Sequence, residues 1–549
     1  MDARKLKSLL IACSTLFVSQ VFAEDWFVRP DIATTAGDGH SWESALCVSD
    51  FQMLLANELS TPGDVFHLAG GNYIPNSNAD NFRITQGVTL IGGYAGNLKG
   101  TDTTRPVYPS ATPTVFSGDR NNDGIPNAGD IQNLLVINNC VDTVTIQGIE
   151  FRCAYYQGED YGAGAVYTNL SNVVMKNCFF RDNTSTFHGG AGFTTVGSFT
   201  HLIDCVFTNN KAKSRGGAIL VDNASADVGG RRSTCMLERC QLTDNELEYN
   251  STDGKYGAAV QIRHGNMWVI NSTIANNKAY CNGAGISISD GDTVRIVSST
   301  LANNVCTRVH VDLGKPNSYG SSIRMEKEAV LYIANSISLE GPDDTGDKQN
   351  PTCYTENYVK GIEHYFISGG YNYVGTFYDL TKKYQDPVWN VVWKLSDQPA
   401  TPVNVHVYAD IFGTNEPADN GGGTYTILPV VAVAGASLSE LEDILSQWKC
   451  PVKVAINQDQ RSYERKANTS MGAMDVNGAV GLGTISKNVK TLIKLSADRY
   501  LLEGVKNIRV FGMNGFLLCE SKGDVIDLSG FAKGMYLIEA DGGIYKVVR

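Results

Sequence analysis

Short segments in the middle of the chain repeat one pattern of apolar and polar positions. Five six-residue segments align without gaps, and each ends in asparagine: CFFRDN (178–183), CVFTNN (205–210), CQLTDN (240–245), STIANN (272–277) and STLANN (299–304). The first position is always small, the third is always apolar and the second is mixed. This alternation of period two predicts short strands with one buried face, so the second position is expected to face solvent.

A second apolar position precedes each segment by three residues. It is occupied by Met175, Leu202, Leu237, Val269 and Ile296. Because an offset of three breaks the period of two, a corner or bulge must separate the two strands. Glycine follows the segment at Gly189, Gly216 and Gly283 and opens the next apolar stretch. Several short strands per turn, joined by corners and lengthened by loop insertions, are typical of a β-helix rather than a flat sheet.

The asparagine that ends each segment is expected to form a ladder. Asparagine adopts the left-handed backbone conformation that a sharp corner needs. Its side-chain amide can also bond its counterpart one coil away, at the strand spacing of about 4.8 Å. The predicted ladder comprises Asn183, Asn210, Asn245, Asn277 and Asn304.

The cysteines follow the same repeat. The chain has 13 of them, a number that would suggest disulfides in an exported protein. Three occupy the first position of successive segments: Cys178, Cys205 and Cys240. Neighbouring strands hold Cβ atoms farther apart than the roughly 3.8 Å that a disulfide requires, so a column of stacked, buried thiols is predicted. Pairing of Cys235 with Cys240, or of Cys281 with Cys306, across a corner is the alternative.

These segments resemble the right-handed parallel β-helix proteins of the pectin-lyase-like superfamily. The stretches WFVRPDIATTAGDGHSWESAL, TPGDVFHLAGGNY and VTLIGGYAG look like the amino-terminal cap of secreted β-helix proteins of the Bacteroidetes type. Near the other end, DNGGGTYTILP (419–429), INQDQRSYERK (456–466) and MGAMD (471–475) resemble the closing segment of choice-of-anchor Q proteins, in which DQRG is usual where this chain has DQRS. The resemblance implies an all-β protein built on a β-helix solenoid.

The last residues differ in composition from the repeats. The stretches IRVFGMNG, VIDLSGFAKGMYLIEA and IYKVVR alternate short strands with glycine turns, which favours a small β-sandwich. They resemble the carboxy-terminal sorting domain of the type IX secretion pathway, which directs export across the outer membrane; a simple capping domain is the alternative. The expected parts are a signal peptide (1–23), an amino-terminal cap with the first coils (24–100), the β-helix with loop insertions (101–476), a linker (477–486) and the sandwich (487–549).

The first residues are typical of an export signal. A positively charged region (4–7) precedes an apolar stretch (9–18) and small residues at the expected cleavage position (21–23), so the mature chain is expected to begin at Glu24. Residues 10–13 also resemble a lipoprotein box, the less favoured alternative. No later apolar run reaches the roughly 20 residues that a membrane span needs. We expect a protein that is secreted or anchored at the outer cell surface.

Composition limits the partners. The formal net charge is −12, from 57 acidic and 45 basic residues. Binding to a phosphate backbone requires a basic face, so this balance gives no support to a nucleic-acid partner. Hydrophobic residues make up 42% of the chain, which is ample for a large buried core.

Residues 119–130 carry the sharpest local motif. Their oxygen-bearing positions follow the spacing of a calcium-binding loop, with a glycine in the middle. The predicted ligands of a structural calcium ion are Asp119, Asn121, Asp123, Ile125, Asn127 and Asp130. Asp130 stands where glutamate is usual, no flanking helices are predicted, and turns rich in Asp and Asn also form without a metal. A calcium loop and a plain turn are therefore both open.

Two functional classes fit an exported β-helix. A glycan-binding or adhesive surface protein requires only an exposed face with suitable loops. Tyr155, Tyr156 and Tyr161 are candidates to stack on sugar rings, with ordinary loop packing as the alternative. A polysaccharide lyase needs a cation that neutralises a uronate and a base such as arginine or lysine, and a glycoside hydrolase needs paired carboxylates on one face.

Few residues are candidates for catalysis. Arg215, Asp222 and the pair Arg263-His264 fall in successive coils and could share a face, whereas His188 and His264 are of a kind more often structural. We therefore expect a protein that binds glycan, host or matrix partners, with a lyase or hydrolase of an acidic glycan as the alternative. Clustered Asp, Arg or Lys in a groove on one sheet would favour the enzyme, and a featureless or aromatic-lined face would favour binding.

Overall fold

The computed structural model describes most of the chain between residues 23 and 548. The described ranges are 23–56, 59–77, 80–104, 106–158, 164–186, 190–223, 230–248, 256–279, 283–289, 291–306, 321–326, 328–339, 353–355, 364–375, 389–392, 394–399, 408–431, 433–475, 492–494, 499–502, 507–512, 517–523, 525–531, 535–540 and 543–548. Residues 1–22 of the expected signal peptide (1–23), the expected linker (477–486), Tyr161 and His188 lie outside them.

The chain winds into a right-handed parallel β-helix, which confirms the fold predicted from the repeat. Each complete coil visits four sheets, which we call A, B, D and C in chain order and whose strands are given below. The described coils before Tyr155 and after Cys306 have no sheet D strand, and the strands within each sheet pair in parallel with those of the neighbouring coils. The pairing is in register: Phe180 lies beside Phe207, and Phe207 beside Leu242. These are the third positions of the repeated segments, and their side chains fill the interior.

The four sheets differ in width. Sheet A contains Asp25–Val28, Val65–Ala69, Thr89–Tyr94, Val144–Gln147, Asn172–Lys176, Phe199–Ile203, Ser233–Glu238, Gly265–Ile270, Thr293–Val297, Val330–Ala334, His364–Gly370 and Trp389–Val392. Sheet B contains Gly71–Tyr73, Thr114–Ser117, Ile149–Arg152, Phe179–Arg181, Val206–Thr208, Gln241–Thr243, Thr273–Ala275, Thr300–Ala302, Ile337–Leu339, Tyr373–Val374 and Gln398–Pro399. Sheet D has two-residue strands: Tyr155–Tyr156, Thr184–Ser185, Lys211–Ala212, Glu246–Leu247, Lys278–Ala279 and Val305–Cys306. Sheet C contains Phe82–Ile84, Leu135–Asn138, Val166–Asn169, Phe193–Val196, Ile219–Asp222, Val260–Ile262, Ile286–Ile288, Ile323–Met325 and Cys353–Thr355.

The interior of the coil is apolar and is covered at its amino-terminal end. A helix, Val48–Ala56, places Phe51 and Leu55 in the core beside the first strands. Along the coil, aromatic rings stack from one turn to the next, and the ring centroids of Phe180 and Phe207 lie 4.3 Å apart. Burial of this apolar surface is the main favourable term in folding.

Residues with positive φ form the corners. Between sheets A and B they are Asn177, Asp204, Arg239, Asn271 and Ser298, with φ between 49° and 54°. This confirms the corner that the offset of three predicts. Between sheets B and D they are Asp182, Asn209, Asp244, Asn276 and Asn303, with φ between 53° and 60°. The left-handed residue is therefore the one before each ladder asparagine, and our assignment of that conformation to the ladder asparagines themselves was wrong.

The asparagine ladder is present. Asn183 Nδ2 donates to Asn210 Oδ1 at 2.9 Å, and Asn210 Nδ2 donates to Asn245 Oδ1 at 2.9 Å. The same bond, also at 2.9 Å, joins Asn245 to Asn277 and Asn277 to Asn304. All five side chains are buried. The hydrogen bonds between their side-chain amides replace those that water would make to an exposed asparagine.

The predicted thiol column is also confirmed. Cys178, Cys205 and Cys240 are buried free thiols, and Cys205 Sγ donates to the carbonyl of Ile203 at 3.3 Å. Burial raises the pKa of the Cys205 thiol well above its usual value. Cys235 is free as well, so it does not pair with Cys240. Cys306 is free, and Cys281 lies outside the described residues.

Residues 408–475, which we call the outer segment, lie on the surface of the coil. The segment contains the helices Tyr408–Phe412 and Leu438–Gln447 and an antiparallel pair of strands, Ala434–Ser437 and Asn468–Ser470. A capping box closes the amino-terminal end of the second helix, where Ser437 Oγ accepts from Glu440 N and Glu440 Oε2 accepts from Ser437 N. The buried face of this helix, Leu441 and Leu445, packs with Trp268 of sheet A.

The outer segment covers positions that were predicted to face solvent. Thr273 Oγ1 donates to Gln460 Oε1 at 2.6 Å, Tyr425 N donates to Gln241 Oε1 at 2.7 Å, and Ala473 N donates to Thr300 Oγ1 at 3.0 Å. Gln241, Thr273 and Thr300 point out of the coil as the alternation requires, but they are buried. For these three residues the predicted exposure was wrong, because the alternation reports the face of the coil and not what lies on it. Val206, another second-position residue, is buried as well.

The last described residues form a small β-sandwich, as predicted. One antiparallel sheet contains Leu492–Lys494, Arg499–Leu502 and Val525–Asp527. The other contains Asn507–Gly512, Leu517–Lys522, Met535–Ala540 and Gly543–Val548. Tyr500 and Ile526 of the first sheet share a core with Ile508, Val510 and Ile538 of the second.

Candidate functional site

A polar cleft of about 170 Å³ opens on the outer face of sheet C. Its lining consists of Arg215, Tyr256, Gln261, Arg263, His264, Ser289 and Glu326. Arg215 and Tyr256 come from the connections between sheets D and C of neighbouring coils, where they form a parallel bridge. The other five residues belong to strands of sheet C or directly follow them.

Two rows of outward side chains build the floor of the cleft. In the first row, Gln261 pairs with Ser287, and Ser287 pairs with Arg324. The second row lies two residues farther along each strand and consists of Asp222, Arg263, Ser289 and Glu326. Because strands of a parallel coil repeat at about 4.8 Å, each row places one polar side chain per coil along the axis.

The row that contains Arg263 confirms the grouping expected from the sequence. Arg215, Arg263 and His264 line one cleft. Asp222 lies on the neighbouring coil, where its Oδ2 is 3.5 Å from Nη1 of Arg263. Burial raises the pKa of the Asp222 carboxyl, and the charge of Arg263 opposes that shift.

Arg324 lies beneath the cleft and supports one wall. Its side chain is 1% exposed, and Nη1 donates to Glu326 Oε1 at 2.7 Å and to Ser287 Oγ at 3.3 Å. The guanidinium carbon lies 4.0 Å from the ring centroid of Tyr256. This cation–π contact and the ion pair hold Tyr256 and Glu326 in place at the rim.

A buried carboxylate fixes the turn that carries His264. His264 has φ of 60°, and its backbone N donates to Asp292 Oδ2 at 2.7 Å. Gly265 N donates to Asp292 Oδ1 at 2.9 Å, and Arg232 pairs with the same oxygen at 2.5 Å. Burial raises the pKa of Asp292 to about 7, although Arg232 acts in the opposite direction.

Sequence reasoning missed several residues of the cleft, although the chain contains a signal for them. The segments GGAILVD (216–222), GAAVQIR (257–263), GAGISIS (283–289) and GSSIRME (320–326) align from their first glycine. Their fifth and seventh positions are the two rows of the cleft floor, so this second repeat would have identified Gln261, Ser289 and Glu326. Tyr256 precedes its segment and carries no such signal.

The predicted sugar-stacking tyrosines lie elsewhere. Tyr155 and Tyr156 form the first strand of sheet D, where Tyr156 is buried and Tyr155 is half-buried. Neither lines the sheet C cleft. Their contact with a ligand stays a prediction.

The loop of residues 119–130 satisfies its carboxylates with its own backbone. Asp119 Oδ2 accepts from Gly124 N at 2.9 Å, Asp123 Oδ1 accepts from Ile125 N at 2.8 Å, and Asp130 Oδ2 accepts from Asn127 N at 2.8 Å. Burial raises the pKa of the Asp130 carboxyl. Among the described residues, no group of three or more His, Cys, Asp or Glu side chains is arranged to hold a metal ion. Turn formation accounts for the motif, and calcium stays a prediction.

Calcium binding to this loop has a direct test. If the ion binds, calcium stabilises the folded protein by mass action, and a chelator lowers the melting temperature. Asp123→Ala should abolish the calcium-dependent shift, whereas Asp142→Ala, at an exposed aspartate outside the loop, should preserve it. A melting temperature that is the same in calcium and in chelator would leave the plain turn as the explanation.

Comparisons with known proteins bear on the fold alone. No protein-family model matches the chain, and no curated protein matches it. The chain is similar to the crystal structure of pectate lyase Pel9A, with 11% identity over 75% of this chain and 94% of that chain and a TM-score of 0.33. It is also similar to a rhamnogalacturonan lyase, with 12% identity over 69% of this chain and 87% of that chain and a TM-score of 0.32. TM-scores of this size carry no argument about function, and the fold is established by the strand register.

Proposed function

We propose that this protein binds an acidic glycan and holds one carboxylated sugar unit in the sheet C cleft. The observation that carries the proposal is the convergence of Arg215, Arg263 and His264 on one cleft of about 170 Å³. Sites that enclose a drug-sized ligand typically measure about 300–1,000 Å³. The cleft is smaller, so it suits one unit of a longer chain whose other units lie along the outer face of sheet C.

The lining matches the chemistry of a uronate. A guanidinium presents a planar fork of N–H donors that pairs with a carboxylate through two hydrogen bonds. Nη1 of Arg263 lies 3.5 Å from Oδ2 of Asp222, and 30% of the Arg263 side chain is exposed at the cleft. Gln261 Nε2 donates to Ser289 Oγ at 2.9 Å and holds that hydroxyl at the cleft, where its proton can bond a sugar oxygen, and the ring of Tyr256 supplies an apolar wall.

A binding assay with a matched pair of arginine variants tests the proposal. We expect the protein to bind polygalacturonate more tightly than a neutral polysaccharide, with an affinity that falls as salt is added. Because a hydrogen bond to a charged group contributes about 1.5–3 kcal/mol, Arg263→Gln should weaken binding by about tenfold or more. The control is Arg181→Gln, which removes from sheet B an arginine that is also partly exposed and is paired with Glu150.

Two results would sink the proposal. One is equal binding of acidic and neutral polysaccharides by the wild-type protein. The other is an Arg263→Gln variant that melts like the wild type and binds as tightly as Arg181→Gln.

Cleavage of the same glycan is the second candidate. It is favoured by the clustering of arginine and acid in a groove on one sheet, which is the feature expected of the enzyme. His264 and Glu326 are lining residues that can accept a proton. Incubation of the protein with polygalacturonate distinguishes cleavage from binding. New reducing ends, or the ultraviolet absorbance of an unsaturated uronate, indicate catalysis, and their absence leaves binding alone.

The proposal places this binding at the outer cell surface. It rests on the export signal of residues 1–23 and on the likeness of the carboxy-terminal sandwich to a sorting domain. Within the described part of the chain, no helix is long and apolar enough to cross a membrane. Fractionation of the native cells should find the protein in the outer membrane or the medium, and a protein confined to the cytoplasm would contradict this location.

A further inference from the structure

A second polar patch lies on the outer face of sheet A, beside the outer segment. Its centre is Arg295, whose guanidinium carbon lies 5.1 Å from the ring centroid of Trp268 and 5.0 Å from that of Tyr332. The three residues occupy the same register position on neighbouring strands. Trp448 of the outer segment continues the stack, with its ring centroid 5.2 Å from that of Tyr332.

Among the residues that the structure describes, Arg295 has no partner for its charge. Within the described chain no ion pair or hydrogen bond involves its side chain, and its Nε is buried without an acceptor. A carboxylate of the same sheet, Glu238, is already held by His201 at 3.0 Å and by Arg239 at 2.6 Å. Half-buried cations are costly unless an anion accompanies them, and the two aromatic rings offset only part of that cost.

Two polar residues stand beside Arg295 on the same face. Thr293 precedes it by two positions on the strand, and Asn266 pairs with Thr293 on the neighbouring strand. Both are half-buried, and in the described structure neither side chain makes a hydrogen bond. We call these three residues, Asn266, Thr293 and Arg295, the sheet A patch.

The stack fixes how Arg295 presents its donors. Because Trp268 and Tyr332 flank the guanidinium from the neighbouring strands, it has little freedom to turn, and its terminal nitrogens have no acceptor among the described residues. A fork held in this way loses little freedom when it binds a planar, bidentate anion. One positive charge beside an amide and a hydroxyl suits a singly charged carboxylate with neighbouring hydroxyl groups.

We infer that the sheet A patch is a binding site for a carboxylate, separate from the sheet C cleft. The carboxylate pairs with the terminal nitrogens of Arg295, and Thr293 and Asn266 bond adjacent hydroxyl groups. A free organic acid and a uronic acid within a glycan share this chemistry. The inference does not depend on the function proposed for the cleft, because the two sites share no residue.

Titration with acetate, galacturonate and trigalacturonate at constant ionic strength tests the site. Binding is followed by calorimetry and by tryptophan fluorescence, since Trp268 belongs to the stack and Trp448 extends it. We expect saturable binding that Arg295→Gln weakens by at least about tenfold, because it removes a charge-assisted, bidentate pair. Preference for galacturonate over acetate identifies a sugar acid, and equal affinity identifies a free carboxylate.

Three further variants separate a site from a purely structural stack. Arg295→Lys keeps the charge but loses the fork, so it should also weaken binding, and Thr293→Val should weaken galacturonate more than acetate. Arg509→Gln, at an arginine beside Phe511 in the carboxy-terminal sandwich, should change nothing. The inference is overturned if the wild type shows no saturable binding beyond that at the cleft, or if Arg295→Lys and Thr293→Val bind as the wild type does while Arg263→Gln does not.

Discussion

Replacing Asn245 with alanine is expected to lower the free energy of unfolding by more than about 3 kcal/mol, because several buried polar groups then lose their partners at about 1–3 kcal/mol each. Asn245 Oδ1 accepts from the backbone N of Asn210 at 3.1 Å and from its Nδ2 at 2.9 Å. Asn245 Nδ2 donates to Phe207 O at 3.0 Å and to Asn277 Oδ1 at 2.9 Å. The methyl group of alanine replaces none of these bonds, and the Asn245 side chain is fully buried in the coil.

Urea unfolding followed by circular dichroism measures this loss. The matched control is Asn266→Ala, at a half-buried asparagine on the outer face of sheet A whose side chain makes no hydrogen bond in the described structure. We expect the control to change the free energy of unfolding by less than about 0.5 kcal/mol. If the two variants were equally stable, the ladder would be a by-product of the coil geometry rather than a source of stability.

Replacing Arg461 with leucine is expected to destabilise the outer segment by about 3–5 kcal/mol, because the buried carboxylate of Asp459 loses its counter-ion. The pair is fully buried, with Nη2 of Arg461 2.5 Å from Oδ2 of Asp459. Arg461 Nη2 also donates to the carbonyl of Asp475 at 3.1 Å, and Asp475 N donates to Asp459 Oδ2 at 3.2 Å. The pair therefore joins the DQRS stretch to Asp475 at the end of the outer segment.

Limited proteolysis and chemical unfolding together measure this effect. We expect new cleavage sites in residues 419–475 at denaturant concentrations at which the coil is intact. The control is Arg29→Leu, which removes a half-buried arginine paired at 2.6 Å with the exposed Asp31 and should cost less than about 1 kcal/mol. Equal protease resistance of Arg461→Leu and the wild type would contradict a role of this pair in holding the segment.

The buried pair of Arg461 and Asp459 gives a structural reason for the sequence motif that resembles the closing segment of choice-of-anchor Q proteins. The stretches of residues 419–429, 456–466 and 471–475 meet in the outer segment, where Gln460 Nε2 donates to Thr424 Oγ1 at 3.0 Å. Arg465 is buried in the same region and donates to the carbonyl of Gly472 at 3.1 Å. In the structure, Asp459 and Arg461 of DQRS bond each other, and Arg465 of ERK also donates to Asn271 Oδ1 of the coil at 3.0 Å.

The repeat made the coil predictable, whereas the cleft was predictable only in part. The features that were predicted correctly are the alternation, the corner spacing and the asparagine and cysteine columns. Each depends on residues one coil away, and these residues occur in aligned, repeated segments of the sequence. Arg263 and Asp222 were candidates because they follow similar apolar stretches. Glu326 was missed because loops of different length separate its strand from those of Asp222 and Arg263. Residue spacing alone therefore does not show that the three side chains share a row.

The sequence by itself determined the parallel coil, its corners, its ladder and its separate carboxy-terminal sandwich. These features arise from local alternation and from contacts between successive repeats, which every repeat encodes again. Only the tertiary structure decided which outer faces are covered and where charges converge. Gln241 and Thr273 are covered by residues 184 and 187 positions away, and Tyr256 meets Arg324 from two coils farther along. Such contacts depend on how distant, non-repeating stretches fold back, and a periodic pattern carries no information about that.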